Sequence, residues 1–139
     1  MDATGFNRLE RAVLDAISEH YAIEGLSDQL TQAVLIKREW TKVGFYVEIG
    51  VPRSLPRLTL PPDFGRSVNG PMIMSDDIHH DASTLVWVES GYCHMLEMFA
   101  YGDWFNEHVD SFELVWPAPY KPGLIPRLVA SFRRVFGDS

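Results

Sequence analysis

The stretch VLIKREWTKVGFYVEIGV, residues 34–51, decides the fold, because its apolar and polar residues alternate with a period of two on either side of a turn at Thr41, Lys42, Val43 and Gly44. Pairing Trp40 with Phe45 places Arg38 opposite Val47, Lys37 opposite Glu48 and Ile36 opposite Ile49. The Lys37–Glu48 cross-strand pair is worth about 0.2–1 kcal/mol and supports that register. A one-residue slip would send the apolar set to the other face. The register gathers Ile36, Trp40, Phe45, Val47 and Ile49 on one face and sets Arg38 among them.

A second hairpin is expected further along. Residues 84–89 and 92–101 flank Ser90 and Gly91, which suit a tight two-residue turn. Without interruption, that turn puts Leu85, Trp87, His94, Leu96 and Met98 on one side. Val86, Val88, Cys93, Met95, Glu97, Phe99 and Tyr101 then share the other. Both sides are largely apolar, as in strands covered on both faces.

Shorter strands fit residues 71–74 and 112–116. Before the first hairpin, Phe6, Leu9, Val13, Ala16, Ile17 and Tyr21 recur at helical steps with charged residues between them, which predicts an amphipathic helix. Gly25 is its expected stop, and Ser27–Asp28 would cap a shorter second helix. Four prolines, Pro52, Pro56, Pro61 and Pro62, keep 52–70 out of a central strand and predict a surface loop. A Pro-rich connection over 117–126 leads to an expected C-terminal amphipathic helix, 124–137, with Pro126 in its first turn and Gly137 at its end. These elements define a single α+β domain over 1–139, an antiparallel sheet of about five or six strands with helices at its ends.

Composition narrows the function. A chain of 139 residues buries enough surface for its own core. Its one cysteine, Cys93, excludes an internal disulfide and a thiolate zinc pair, which favours a reducing, cytoplasmic setting. No apolar run is long enough to span a membrane. The net charge is −7, with 8 basic and 18 acidic side chains in residues 1–120. Such a body repels nucleic acid and attracts a basic protein.

The block REWTKVGFY, residues 38–46, together with GYCHMLEMFAYGD, residues 91–103, resembles a family of small bacterial proteins usually labelled hypothetical. There the blocks read R-E-[FW]-T-x-V-G-F and G-x-x-x-x-L-E-G-[FY]-x-Y-G. The likeness runs over roughly residues 6–105, and Met98 stands where a glycine is commoner. The resemblance implies a bacterial source and a shared fold, and no reaction.

Arg38 and Glu97 are the most informative charges, since each falls on an apolar strand face where an unpaired charge costs several kcal/mol. They are expected to meet, as a register-fixing ion pair or as the floor of a pocket. Arg53, Arg57 and Arg66 form a candidate loop site, because long ordered loops often carry function. Asp76, Asp77, His79, His80 and Asp81 are ligand types suited to a divalent metal. Neighbours on an extended chain point apart, so the run reads first as a solvated turn. His94 reads as a packed histidine, and Cys93 as an inert thiol in an apolar strand.

No nucleophile elbow, phosphate loop or dinucleotide fingerprint is present, and no catalytic residue or cofactor is indicated. The first functional expectation is therefore a small acidic protein-binding module, of the immunity or inhibitor kind, rather than an enzyme. The alternative is a small enzyme or ligand binder with a pocket around Arg38 and Glu97 or a metal at 76–81. The C-terminal helix is expected first to dock on its own sheet; homo-oligomerisation through it is a third functional expectation, ahead of docking to an anionic membrane surface.

Overall fold

The computed structural model describes residues 2–117 and the backbone of 132–136. Helix α1 spans Arg8–His20 and opens with a capping box: the Asn7 side chain accepts from the Glu10 N–H at 2.8 Å, and Glu10 Oε1 accepts from the Asn7 N–H at 2.9 Å. Leu9, Val13, Leu14, Ala16 and Ile17 are buried beneath it, each larger side chain contributing about 1.5–3 kcal/mol by leaving water. Helix α2 covers Leu26–Gln32. Its N-cap is Gly25, in a left-handed conformation, and Ser27 lies inside the helix with its hydroxyl accepting from Ser18 at 2.9 Å. Glycine thus starts α2 rather than stopping α1, which ends at Tyr21.

The strands are β1 (Val34–Trp40), β2 (Gly44–Gly50), β3 (Ser67–Asn69), β4 (Met72–Met74), β5 (Asp81–Glu89), β6 (Tyr92–Ala100), β7 (Phe112–Trp116) and β8 (Phe132–Phe136). They form one sheet of 8 strands in the order β1-β2-β6-β5-β4-β7-β8, with β3 also pairing β5. All the pairings are antiparallel. The strand count exceeds the sequence expectation because β3 falls inside the stretch read as loop and β8 falls where a helix is expected. Its prolines end at Pro62, and Ser67–Asn69 is free to pair with Leu85–Trp87.

The expected register of the first hairpin holds from Trp40–Phe45 to Lys37–Glu48. It then breaks at a bulge, where Leu35 rather than Ile36 faces Ile49. Ile36 is turned outward and 58 % exposed. Gly44 makes the crossing to β6 feasible: a Cβ on it would lie 2.1 Å from the Met98 carbonyl oxygen. That close approach comes from Gly44, and Met98 itself is buried in the core.

The second hairpin also differs from its simple reading. Ser90 and Gly91, with φ of 52° and 83°, make the tight turn. Cys93 pairs with Val88, but Trp87 then pairs with Met95, leaving His94 as an extra residue. One inserted residue reverses the facing of everything beyond it. Val86, Val88, Cys93, Leu96 and Met98 consequently share the inner face, which the helices cover, while Leu85, Trp87, Met95, Glu97 and Phe99 look outward. Among the described residues no helix lies over that outer face, and the described helices cover the inner side of the hairpin alone.

The expected C-terminal helix is replaced over Phe132–Phe136 by β8, paired with β7 from Phe112–Phe136 to Trp116–Phe132. A helix of about a dozen residues is marginal unless docked, whereas aromatic and β-branched residues suit a ladder that an unpaired β7 edge offers. The remainder of 124–137 and the connection beyond Pro117 lie outside the described residues.

Candidate functional site

Arg38 does face inward, but its partner is on α1. Its Nε donates to Glu10 Oε2 at 2.6 Å, and its terminal nitrogen donates to Glu10 Oε1 at 2.5 Å and to the Gly5 carbonyl at 3.3 Å. Glu10 is fully buried. The bidentate hydrogen bond holds the guanidinium pKa above its ordinary value, against the opposing pull of burial. Glu97 is not part of this pair, because the His94 bulge sends it outward, where it accepts from Trp87 Nε1 at 3.0 Å. The pair fixes the start of α1 on β1.

The loop arginines are brought to the closed end of the β5–β6 hairpin, and the anchor is a residue the sequence reading passed over. Gln29 of α2, fully buried, donates to the carbonyls of Pro56 and Gly91, both at 3.0 Å, and accepts from the Cys93 N–H at 2.9 Å. The Leu58 N–H donates to the Gly91 carbonyl at 2.7 Å. Tyr92 completes the lock, its hydroxyl meeting the carbonyls of Arg53 and Leu55 at 3.2 and 3.1 Å. Segment 52–58 is therefore held on the hairpin, and Arg53 and Arg57 lie over the Tyr92 ring at 4.2 and 5.9 Å.

Two open clefts adjoin there. One, of about 480 Å³, is lined by Arg53, Arg57, Glu89, Ser90, Tyr92 and His94. The other, of about 780 Å³, is lined by Arg66, Trp87 and Met95 among others. They share Glu89, Ser90 and His94 as a common wall. His94, expected as a packed side chain, is half-buried in that wall with Nε2 3.7 Å from Glu89.

The acidic and histidine run is a structured turn. Asp77 accepts from the Asp110 N–H at 2.9 Å and from Asn106 Nδ2 at 3.3 Å. His79 Nδ1 accepts from the Asp103 N–H at 2.8 Å, and its ring stacks on His80 and Trp104. Among the described residues, Asp76, Asp77, His79, His80 and Asp81 do not converge as a metal-holding group. Cys93 is buried, and desolvation pushes its thiol up to about 12, so it stays protonated.

Among the described residues, the outer sheet face carries exposed aromatic side chains. Tyr46, Trp87 and Tyr101 are 43 %, 36 % and 62 % exposed on it. Leu85, Met95 and Phe99 lie between them, half-buried. Over β1, β2, β5 and β6 it also carries Glu39, Glu48, Asp81 and Glu97, with Lys37 as the base opposite Glu48.

No known protein family, curated protein or solved structure matches the chain. None of its described helices is long and apolar enough to cross a membrane.

Proposed function

We propose that the protein is a binding module for a basic protein, of the inhibitor or immunity kind, and that the uncovered sheet face is its docking surface. The observation that carries this is the composition of that face: Tyr46, Trp87, Phe99 and Tyr101 set among Glu39, Glu48, Asp81 and Glu97. Aromatic anchors supply contact area at low entropic cost. A surrounding field of one sign accelerates encounter with an oppositely charged partner and rejects like-charged ones. A specific complex needs roughly 800 Å² from each partner.

The test is a comparison of baits in lysate of the source cell, at low and high salt. The native protein, a Tyr46→Arg/Glu48→Arg variant and a control Glu107→Arg variant are used side by side. A stoichiometric basic protein held by the native and control baits, released by salt and lost from the face variant, is the expected result. Identical retention by all baits, or retention of acidic proteins only, overturns the reading. So does a native dimer in sedimentation that Tyr46→Arg dissociates, because the occupant would then be a second copy of this chain.

A further inference from the structure

We propose that the double cleft at the closed end of the β5–β6 hairpin binds a phosphate-bearing small molecule. The first ground is charge. In a chain of net charge −7, arginines readily find carboxylates: Arg11 meets Asp2 and Asp15, and Arg38 meets Glu10. Arg53, Arg57 and Arg66 are the exception. Among the described residues none of them has a carboxylate within ion-pair distance; Arg53 and Arg57 line the smaller cleft and Arg66 the larger one that adjoins it. The acid between them, Glu89, lies against His94 instead.

The second ground is preorganisation. A guanidinium on a free loop loses much side-chain entropy when it captures an anion. Here the loop is hooked by Gln29 and by the Tyr92 hydroxyl. Arg53 and Arg57 are further confined by the Tyr92 ring beneath them. Their planar forks suit the oxygens of a phosphate, and the Ser90 hydroxyl adds a donor on the same wall.

The third ground is shape. Both volumes fall in the range that small ligands occupy, and the larger cleft has the Trp87 indole as a wall. A planar group there would stack while its phosphate faces Arg53 and Arg57. A polymeric nucleic acid is disfavoured, since beyond the cleft it would meet the acidic body. The arginines that carry the inference lie off the sheet face, although Trp87 and Met95 belong to both surfaces, and its test leaves Tyr46 and Glu48 untouched.

Calorimetric titration with inorganic pyrophosphate and with adenosine monophosphate at low salt decides the matter. The native protein is compared with Arg53→Gln/Arg57→Gln, with Arg66→Gln and, as a control on another loop, with Lys42→Gln. These side chains lie on the surface, so the variants keep the fold, and circular dichroism checks it. Saturable binding of either probe is expected, weakened at least about tenfold by the double variant and unchanged by Lys42→Gln. Quenching of tryptophan fluorescence by the nucleotide but not by pyrophosphate, lost in Trp87→Phe, would assign the planar group to Trp87, whereas binding of pyrophosphate alone would make the ligand an oligophosphate. No saturable binding of either probe at roughly millimolar concentration overturns the proposal. Equal binding by the native protein and the double variant overturns it too.

Discussion

Replacing Arg38 by methionine isolates the Glu10–Arg38 pair. Methionine keeps an unbranched chain of similar reach and removes the charge. Glu10 is 0 % exposed, and after the change only the Asn7 N–H still donates to its carboxylate. Leaving a buried charge without its partner costs about 3–5 kcal/mol. The lower end applies, because the guanidinium side chain is 26 % exposed and partly screened by water. A loss of about 3 kcal/mol lowers Tm by roughly 9–15 °C for a chain of this size. Urea melts followed by tryptophan fluorescence measure it directly. Glu10→Gln in the same background should recover most of the loss, since glutamine still completes the capping box. The same cycle between Arg38 and Glu97 should be additive to within about 0.5 kcal/mol. A cost below about 1 kcal/mol for Arg38→Met, or coupling to Glu97 instead of Glu10, would refute the reasoning.

Gly44→Ala should be among the most damaging small changes in the chain, because the new methyl group would sit 2.1 Å from the Met98 carbonyl oxygen and both groups are backbone-fixed. A loss of about 3 kcal/mol or more is expected in urea melts, against about 1 kcal/mol for Gly65→Ala, where the space is open and only a φ of 65° opposes the substitution. Cys93 should resist a thiol-specific disulfide reagent at pH 8 in the folded protein and react at once in urea. With its pKa raised from 9.0 to about 12 by burial, the thiol contributes stability that is complete below the unfolded pKa and lost as the pH rises from about 9 towards 12. Cys93→Ala should flatten that part of the alkaline melt, and an unchanged profile would show that the thiol does not set it.

Period-two alternation was enough to place β1, β2, β5, β6 and β7, and the Lys37–Glu48 pair set the first register correctly. What alternation cannot reveal is a bulge, since an extra residue leaves no mark in composition. Two of them, at Ile36 and His94, account for the main errors of facing. Glu10 was legible in principle. Asn7-Arg8-Leu9-Glu10 is a capping box, and Glu10 lies four residues after Phe6 and three before Val13, on the buried stripe. Reading it as one of the polar residues between apolar positions hid the natural partner of Arg38. Gln29 left no such signal, because its role depends on where a loop some 27 residues away returns to the hairpin. The short partners β3 and β8 were hard to see for a related reason, since strands of a few residues take their conformation from the neighbour they pair with, whereas β4 fell within the strand expected at 71–74.

Both candidate surfaces trace back to the same inserted residue. Without His94, Glu97 would face the core, as the plain two-residue turn predicts, and would compete with Glu10 for Arg38. With it, Glu97 joins Glu39, Glu48 and Asp81 on the outer face, and Leu96 and Met98 replace it inside. The inserted imidazole has no cross-strand partner of its own and becomes the wall shared by the two arginine clefts. A bulge beside a turn re-aims side chains at little cost to the ladder. Here it separates an acidic aromatic face from a basic end on one hairpin, so that a cationic protein and an anionic small molecule would meet opposite fields on adjacent surfaces.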